Sequence, residues 1–351
     1  IHLQTYIFDD DETGTRVADA LKAAAQRKVE VYLMADGYAS QVMSHKFIAD
    51  LRREGVHFRF FEPLLRSKYF YFGRRMHHKV VVVDEAFSMV GGINITNRYN
   101  DMPEERAWLD FALYAEGEVA EEVYRHCRET WVGLSAKTAF SGKGKREVLH
   151  SASRNSGIIK MRRNDWVRRR NEINESYQSM FRNARSNITI VCSYFLPGKK
   201  FRLLLNSAAA RGVTIKALIA GRSDVMMAKH AERWLYDWLL RNNIQIYEFQ
   251  PTVLHAKIAV CDSSWFTIGS YNLNNISAYA SIELNFDVYD PALAAQTEQM
   301  INKIIENDAI PITPQVLKRS TNIFRQFVRW LSYQSIRLIF NLLTSYYKQR
   351  N

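Results

Sequence analysis

Cysteine is scarce. Three residues in 351, Cys127, Cys192 and Cys261, are too few and too scattered for a disulfide framework or a zinc knuckle. Cys192 and Cys261 fall inside apolar, strand-like runs, where a free thiol packs as a small hydrophobe. A reducing compartment fits that usage. No apolar run approaches the ~20 residues that a bilayer-spanning helix needs, and no signal peptide opens the sequence. Metal-ligand clusters of convincing spacing are lacking too, so neither a metal nor any other cofactor is expected. An initiator Met is absent: the sequence opens IHLQTYIF, already within a strand pattern. The expectation is that upstream sequence is missing, any membrane anchor with it.

What is present is a folded, basic protein. A hydrophobic fraction of 47% with 24% charged residues excludes a disordered chain, and the length suffices for two domains with cores of their own. Lys and Arg number 48 against 36 Asp and Glu, a net charge of +12. That excess favours a polyanion, either nucleic acid or an anionic membrane surface, and charge alone does not choose between them.

The chain repeats itself. LKAAAQRKVEVYLM (21–34) is echoed by LNSAAARGVTIKAL (205–218), with Leu21, Ala24, Ala25, Arg27 and Val29 matching Leu205, Ala208, Ala209, Arg211 and Val213. Each reads as a helix end running into a β-branched strand. HHKVVVVDEAFSMVGGIN (77–94) returns as HAKIAVCDSSWFTIGSYN (255–272), so that His77, Lys79, Asp84, Gly91 and Asn94 match His255, Lys257, Asp262, Gly269 and Asn272 at unchanged spacing. A carboxylate on another strand follows each copy, Asp110 in the first and Glu283 in the second. A helix-like segment at 171–187 precedes the first strand of the second half and has no counterpart in the first. Alternating strands and helices predict an α/β fold of two similar domains face to face, over 1–135 and 158–315. A Gly-, Ser- and Lys-rich linker is expected at 136–157, and an amphipathic C-terminal helix at 316–351.

Each copy carries chemistry suited to a phosphate. His and Lys two positions apart in a strand share a face. Lys supplies charge, Asn94 or Asn272 an amide donor, and Gly91 or Gly269, with Gly92 or Ser270 beside it, a place for a substrate to come close. Two imidazoles allow phosphodiester exchange: one attacks phosphorus, the other protonates the departing alcohol and deprotonates the incoming one. The lysines and asparagines would steady the equatorial oxygens. Asp110 and Glu283 could each hold one imidazole's other nitrogen and set its tautomer. Asp84 and Asp262 lie an odd number of positions from His and Lys, face away, and read as structural. His78 points opposite to His77 and reads as a packing or surface residue, and His45, His57, His126, His150 and His230 as background.

The paired HxKxxxxD motifs, each followed by G(S/G)xN, resemble the phospholipase D superfamily over nearly the whole chain. Within it, RLLLNSAAARGVTIKALIAGRSD, YEFQPTVLHAKIAVCD and TIGSYNLNNISAYASIELNFDVYD are most similar to bacterial cardiolipin synthases. The resemblance implies two domains related by a pseudo-twofold axis with the active site between them. It implies phosphatidyl transfer between phospholipids, two phosphatidylglycerols giving cardiolipin and glycerol, with hydrolysis to phosphatidic acid as side reaction. His77 takes the nucleophile's role and His255 that of acid and base. Gly92 stands where the family often has Ser, so one hydroxyl contact is expected to be missing. The acceptor is phosphatidylglycerol or phosphatidylethanolamine, and the protein a peripheral monomer at the cytoplasmic side of the membrane. Rival readings are a phosphodiesterase of this superfamily hydrolysing phospholipid or nucleic acid, and an inert membrane-surface binder. The basic run 160–172 reads equally as a solvated helix face or a grip on anionic headgroups. RSKYFYFGRR (66–75) lines the site's mouth or merely packs. The tail, apolar at 324, 327, 328, 331, 338 and 342 among Arg325, Arg329 and Arg337, reads as a helix pressed onto the domain or lying in a membrane interface.

Overall fold

A computed structural model describes residues 1–63, 74–133, 157–274, 277–278, 281–320 and 322–348, with side chains described as far as 339. The linker expected at 136–157 therefore lies outside the described residues except for its last position, as does most of 66–75. In the first half, β1 (His2–Thr5), β2 (Tyr32–Asp36) and β3 (His57–Phe61) run parallel. Antiparallel strands β5 (Lys79–Val83), β6 (Phe87–Gly91) and β7 (Ala112–Glu116) follow on the other side of β1, in the order β3-β2-β1-β5-β6-β7. Strand β4 (Arg75–Met76) does not join this sheet.

The second half repeats the plan. Parallel β10 (Asn187–Cys192), β11 (Thr214–Arg222) and β12 (Ile244–Val253) are followed by antiparallel β13 (Lys257–Cys261), β14 (Trp265–Gly269) and β15 (Ser281–Tyr289). His2 lies opposite both Tyr32 and Val82, and Thr189 opposite Lys216 and Val260, so the two sheets share a register. At its edges the second sheet adds β8 (Ile158–Asp165) with β9 (Arg170–Asn171), and β16 (Ala309–Ile312). The run at 160–172 is thus an edge strand, a 3-10 turn and a second short strand, not a helix face. Four of its arginines are in ion pairs: Arg162 with Asp287, Arg163 and Arg170 with Glu172, and Arg168 with Glu129.

Local chemistry sets the elements. Helix α1 (Glu12–Gln26) starts at Asp11, whose carboxylate accepts the Gly14 N–H at 2.9 Å, and buries Ala18, Leu21 and Ala24 on one face. The hairpins β5–β6 and β13–β14 each turn through two residues with positive φ, Asp84 and Glu85 in one and Asp262 and Ser263 in the other. Asp tolerates that conformation by bonding locally. Asp262 also accepts the backbone N–H groups of Arg185, Ser186 and Asn187 ahead of β10.

One core spans both halves. Val80, Val82 and Val90 of the first sheet, with Val119, Val123 and Cys127 of α3 (Glu118–Val132), cluster with Val191, Leu218, Ile258, Ile268, Leu284 and Phe286 of the second. A separate cluster lies between the first sheet and α1 with α2 (His45–Arg53), through Leu3, Leu21, Leu33, Leu51 and Phe58.

Three histidines, His2, His78 and His126, are buried where α3 meets the first sheet. His78 is fully buried and shares a hydrogen bond with Gln4 at 2.8 Å, while Gln4 donates to the Cys127 carbonyl at 2.7 Å. The His126 ring packs on His78 at 5.2 Å, and neither His126 nitrogen has a partner among the described residues. Burial lowers His2 to about 4, His78 to about 3 and His126 well below its ordinary value. These groups stay neutral in the fold but protonate near pH 6.5 once unfolded, so stability is fully present above pH 6.5 and declines as pH falls below it. Urea unfolding between pH 6.5 and pH 4 is expected to show this decline, and His126→Leu to flatten it by about 1 kcal/mol per pH unit. An unchanged slope in the variant would mean that His126 protonates in the fold.

Candidate active site

The site is assembled by two short crossings between the halves. Strand β4 leaves its own sheet and pairs in parallel with β15, Arg75 opposite Ser281 and Met76 opposite Ile282. The N–H groups of His77 and His78 then both donate to the Ile282 carbonyl at 3.0 Å. In the other direction Leu109 bridges Leu254 in parallel, and the N–H groups of His255 and Ala256 donate to the Leu109 carbonyl at 2.8 and 3.1 Å. The residue after each shared carbonyl is the acid. Glu283 therefore meets His77 Nδ1 at 2.9 Å, and Asp110 meets His255 Nδ1 at 2.7 Å. Each imidazole is held by the carboxylate of the opposite half.

Lys79 and Lys257 open β5 and β13, and both are buried. Each ammonium donates back to the carbonyl of the histidine two residues earlier. Lys257 also donates to Ser193 Oγ at 2.8 Å, whereas Lys79 lies over the Tyr6 ring, 5.2 Å from its centroid. Burial, with the charge of Lys257 nearby, lowers Lys79 to about 7. Burial also lowers Lys257, against the pull of Asp110. Asn94 accepts the Ile7 N–H and donates to the Tyr99 hydroxyl at 2.8 Å. Asn272 sits buried beside Cys192, its Oδ1 3.7 Å from the thiol.

The two acids differ. Glu283 accepts from His77, Ser270 and Ser281. Burial alone would raise it, but His77, Lys79 and Ser270 outweigh that and hold it below the ordinary glutamate value. Asp110 accepts from His255 and from the Phe111 N–H, and burial pushes it up to about 7 against Lys257. Burial lowers both imidazoles; Glu283 opposes the shift at His77, while Lys257 and Lys79 add to it at His255. Both rings are therefore neutral near pH 7.

Four positions read as substrate contacts have another physical role. A Cβ on Gly91 would lie 2.3 Å from the Phe111 carbonyl oxygen, and one on Gly269 2.3 Å from that of Leu284. Adjacent strand backbone fills those places. A Cβ on Gly92 would lie 2.4 Å from Asp110 Oδ1, so the space of a serine side chain holds the Asp110 carboxylate. Ser270, its counterpart, donates to Glu283 and accepts the Leu284 N–H at 3.2 Å.

Several contributors escaped the sequence reading. Tyr6 packs edge-on to His77 at 4.9 Å, and Tyr99 and Trp108 cover His255 at 5.4 and 6.0 Å. Buried Asp36 accepts the Met76 N–H at 2.9 Å, pinning β4. Arg74 ion-pairs with Glu62 of its own half and Asp165 of the other, at 2.8 and 2.7 Å. Tyr6 and Ser193 occupy equivalent positions one residue beyond β1 and β10, a signal that the repeat contained. Tyr99, Trp108, Asp36 and Arg74 have no counterpart in the repeated motif to mark them. Among the described residues, no three His, Cys, Asp or Glu side chains converge as metal ligands.

Two sheets of one register, each lending the other the acid that holds its HxK histidine, place the protein in the phospholipase D superfamily. Within that superfamily the chain belongs to the family described as cardiolipin synthase, PLD-like domain, whose model matches residues 1–131 and 177–305. It is 32% identical over 326 residues to cardiolipin synthase B of Escherichia coli strain K12, covering 92% of this chain and 78% of that protein. A cardiolipin synthase of Halalkalibacterium halodurans is 29% identical over 292 residues, 82% of this chain and 58% of that one. Phosphatidylserine synthase of Haemophilus influenzae Rd KW20 shares the fold, with a TM-score of 0.73 at 12% identity over 98% of this chain and 89% of that chain.

The crowding at Gly92 is testable. Gly92→Ser is expected to push Asp110 off His255, with loss of the Asp110-bound His255 signal in 15N NMR and a stability cost of about 1–3 kcal/mol. Ser270→Gly should leave the His77–Glu283 pair in place. Retention of the His255 signal in Gly92→Ser would show that Asp110 does not need that space.

Proposed function

We propose that the protein is a cardiolipin synthase-type phosphatidyltransferase, moving a phosphatidyl group from one phosphatidylglycerol to the headgroup alcohol of another. The observation that carries this reading is the pair of imidazoles, each tied at Nδ1 to a buried carboxylate and flanked by a buried lysine. With Nδ1 engaged, Nε2 of each ring faces the chemistry. The kinship with cardiolipin synthases supports lipid as the substrate class.

His77 suits the nucleophile. Its partner Glu283 is held ionised, which keeps the proton on Nδ1 and the lone pair on Nε2. Nε2 attacks phosphorus as the bond to the leaving glycerol oxygen breaks, giving a phosphohistidine. A phosphodiester between Lys79 and Lys257 brings a negative charge that raises His255 towards protonation, so that His255 donates its proton to the leaving oxygen. The headgroup hydroxyl of the second lipid then returns a proton to His255 and attacks phosphorus, and the bond to His77 breaks. The two ammonium groups, with Asn94 and Asn272, stabilise charge on the equatorial oxygens. Both halves of the site come from one chain, so a monomer suffices. Phosphatidylethanolamine is the alternative acceptor, and water in its place gives phosphatidic acid. The site of action is the membrane surface, on its cytoplasmic side. No described helix is long and apolar enough to cross a bilayer.

Purified protein incubated with phosphatidylglycerol vesicles is expected to yield cardiolipin and free glycerol by mass spectrometry, with His77→Ala reducing turnover by roughly a thousandfold or more. Phosphatidic acid without cardiolipin would identify a hydrolase instead. Turnover that survives in His77→Ala would remove His77 from the chemistry. Because Lys79 titrates at about 7 in the free enzyme and is charged below that value, kcat/KM is expected to fall as pH rises through this range. A profile level to pH 9 would show that the Lys79 charge is not needed.

A further inference from the structure

Among the described residues of the last helix two faces are apolar, one packed on the domain and one turned outward. Helix α9 (Ile323–Lys348) lies along α6 (Met226–Arg241). Its seam is made by Arg329, Tyr333 and Ile336: Ile336 and Tyr333 join Leu196, Ala228, Ala231, Leu235, Tyr194 and Trp234 in one cluster. Half a turn away, Phe324, Phe327, Leu331 and Leu338 are 71, 55, 48 and 60% exposed, with Ile323 and Trp330 at their flank. A helix resting on a soluble domain ordinarily turns charged and polar residues outward. Here the outward stripe is aromatic and aliphatic.

Charge and position identify what covers it. From Ile323 to Lys348 there is no Asp or Glu, while Arg325, Arg329, Arg337 and Lys348 are spread along the helix. Arg325 and Arg337 bond neutral partners, the Ser320 carbonyl and Gln334, and neither forms an ion pair among the described residues. An acid-free helix with an outward apolar stripe and flanking arginines fits an anionic bilayer surface, apolar side chains entering between headgroups and cations meeting phosphates. The stripe is also directed. Arg329 lies near Arg233, and Ile336 packs near Ala228, so α9 runs towards the N-terminal end of α6 as it proceeds. There the exposed Val225, Met226 and Met227 follow Asp224, which accepts a hydrogen bond from Tyr194. Tyr194 is the neighbour of Ser193, the partner of Lys257.

We propose that the outward face of α9, together with Val225, Met226 and Met227, is the surface by which the protein sits on an anionic phospholipid bilayer, with the active site opening beside that contact. This rests on the phosphatidyltransferase reading only for its purpose, since adsorption itself requires no turnover. The full chain is expected to sediment with vesicles of phosphatidylglycerol and phosphatidylcholine, and far less with phosphatidylcholine alone. Phe327→Glu/Leu331→Glu should reduce that partition by roughly tenfold or more, with its circular-dichroism melt and its turnover of dispersed short-chain phosphatidylglycerol unchanged. Met226→Ser/Met227→Ser, away from α9, should weaken binding in the same direction. Undiminished binding by both variants would overturn the proposal. So would self-association of the wild type that Phe327→Glu/Leu331→Glu abolishes, since the stripe would then belong to a second copy. Vesicle binding without lipid turnover would sink the transferase reading and leave this surface standing.

Discussion

Everything at the interface depends on the exchange of carboxylates between the halves. His77 has no acid from its own half on Nδ1, and neither has His255; Glu283 and Asp110 cross over to them. The exchange is fixed by backbone before any side chain acts, because each histidine's N–H and the next both bond the carbonyl just ahead of the opposing acid. A slip of one residue in either crossing would turn the acid to the other face of its strand. Asp36 and Arg74 guard the first crossing, one pinning β4 to its own half and the other reaching Asp165 across the divide. Two carboxylates and two lysines buried around the imidazoles are costly to desolvate. The apolar layer from Val80 and Val90 to Ile268 and Leu284 is what offsets that cost, by holding the sheets together behind the site.

The duplication is exact in register and inexact in chemistry, and the inexactness follows one methylene. Asp110 is the shorter acid, and its carboxylate rests where a side chain on residue 92 would be, so that residue is Gly. Glu283 is longer and clears residue 270, leaving room for a serine that donates to it. His77 and Lys79, with the Ser270 hydroxyl adding to them, hold Glu283 below the ordinary glutamate value, while burial carries Asp110 up to about 7. Two imidazoles with the same backbone thereby gain different proton inventories. Divergent environments for paired titrating groups are how one site supplies both a nucleophile and an acid.

How much of this could be read from the residues alone divides along a physical line. The repeat and the grouping of His with Lys were legible because each motif lies within one hairpin, where a period of two and a tight turn fix geometry locally. Asp84 and Asp262 were legible as turn residues for the same reason. Which acid serves which histidine was not, because it depends on a register between strands more than a hundred residues apart. At Gly91 and Gly269 the atom that excludes a side chain is the backbone of a neighbouring strand, which the local pattern does not show. Residues 160–172 misled through charge density: their alternation as an edge strand is masked by arginines whose partners, Asp287, Glu172 and Glu129, come from elsewhere.

That last redistribution bears on the question that net charge left open. An excess of +12 suits DNA and anionic lipid equally. A protein that tracks a nucleic-acid backbone needs its cations exposed along a groove, and stacking partners beside them. Here four arginines of the densest basic run, Arg162, Arg163, Arg168 and Arg170, are in ion pairs, and Arg74 is buried in another. Around the outward apolar stripe of the last helix, by contrast, cations stand without a single acid on that helix. The scissile bond of a phospholipid lies at headgroup depth, a few ångströms from where such a helix would rest. Tyr194 joins the outer helix to the site: it packs against the seam of α9 on one side and adjoins Ser193, which accepts from Lys257, on the other.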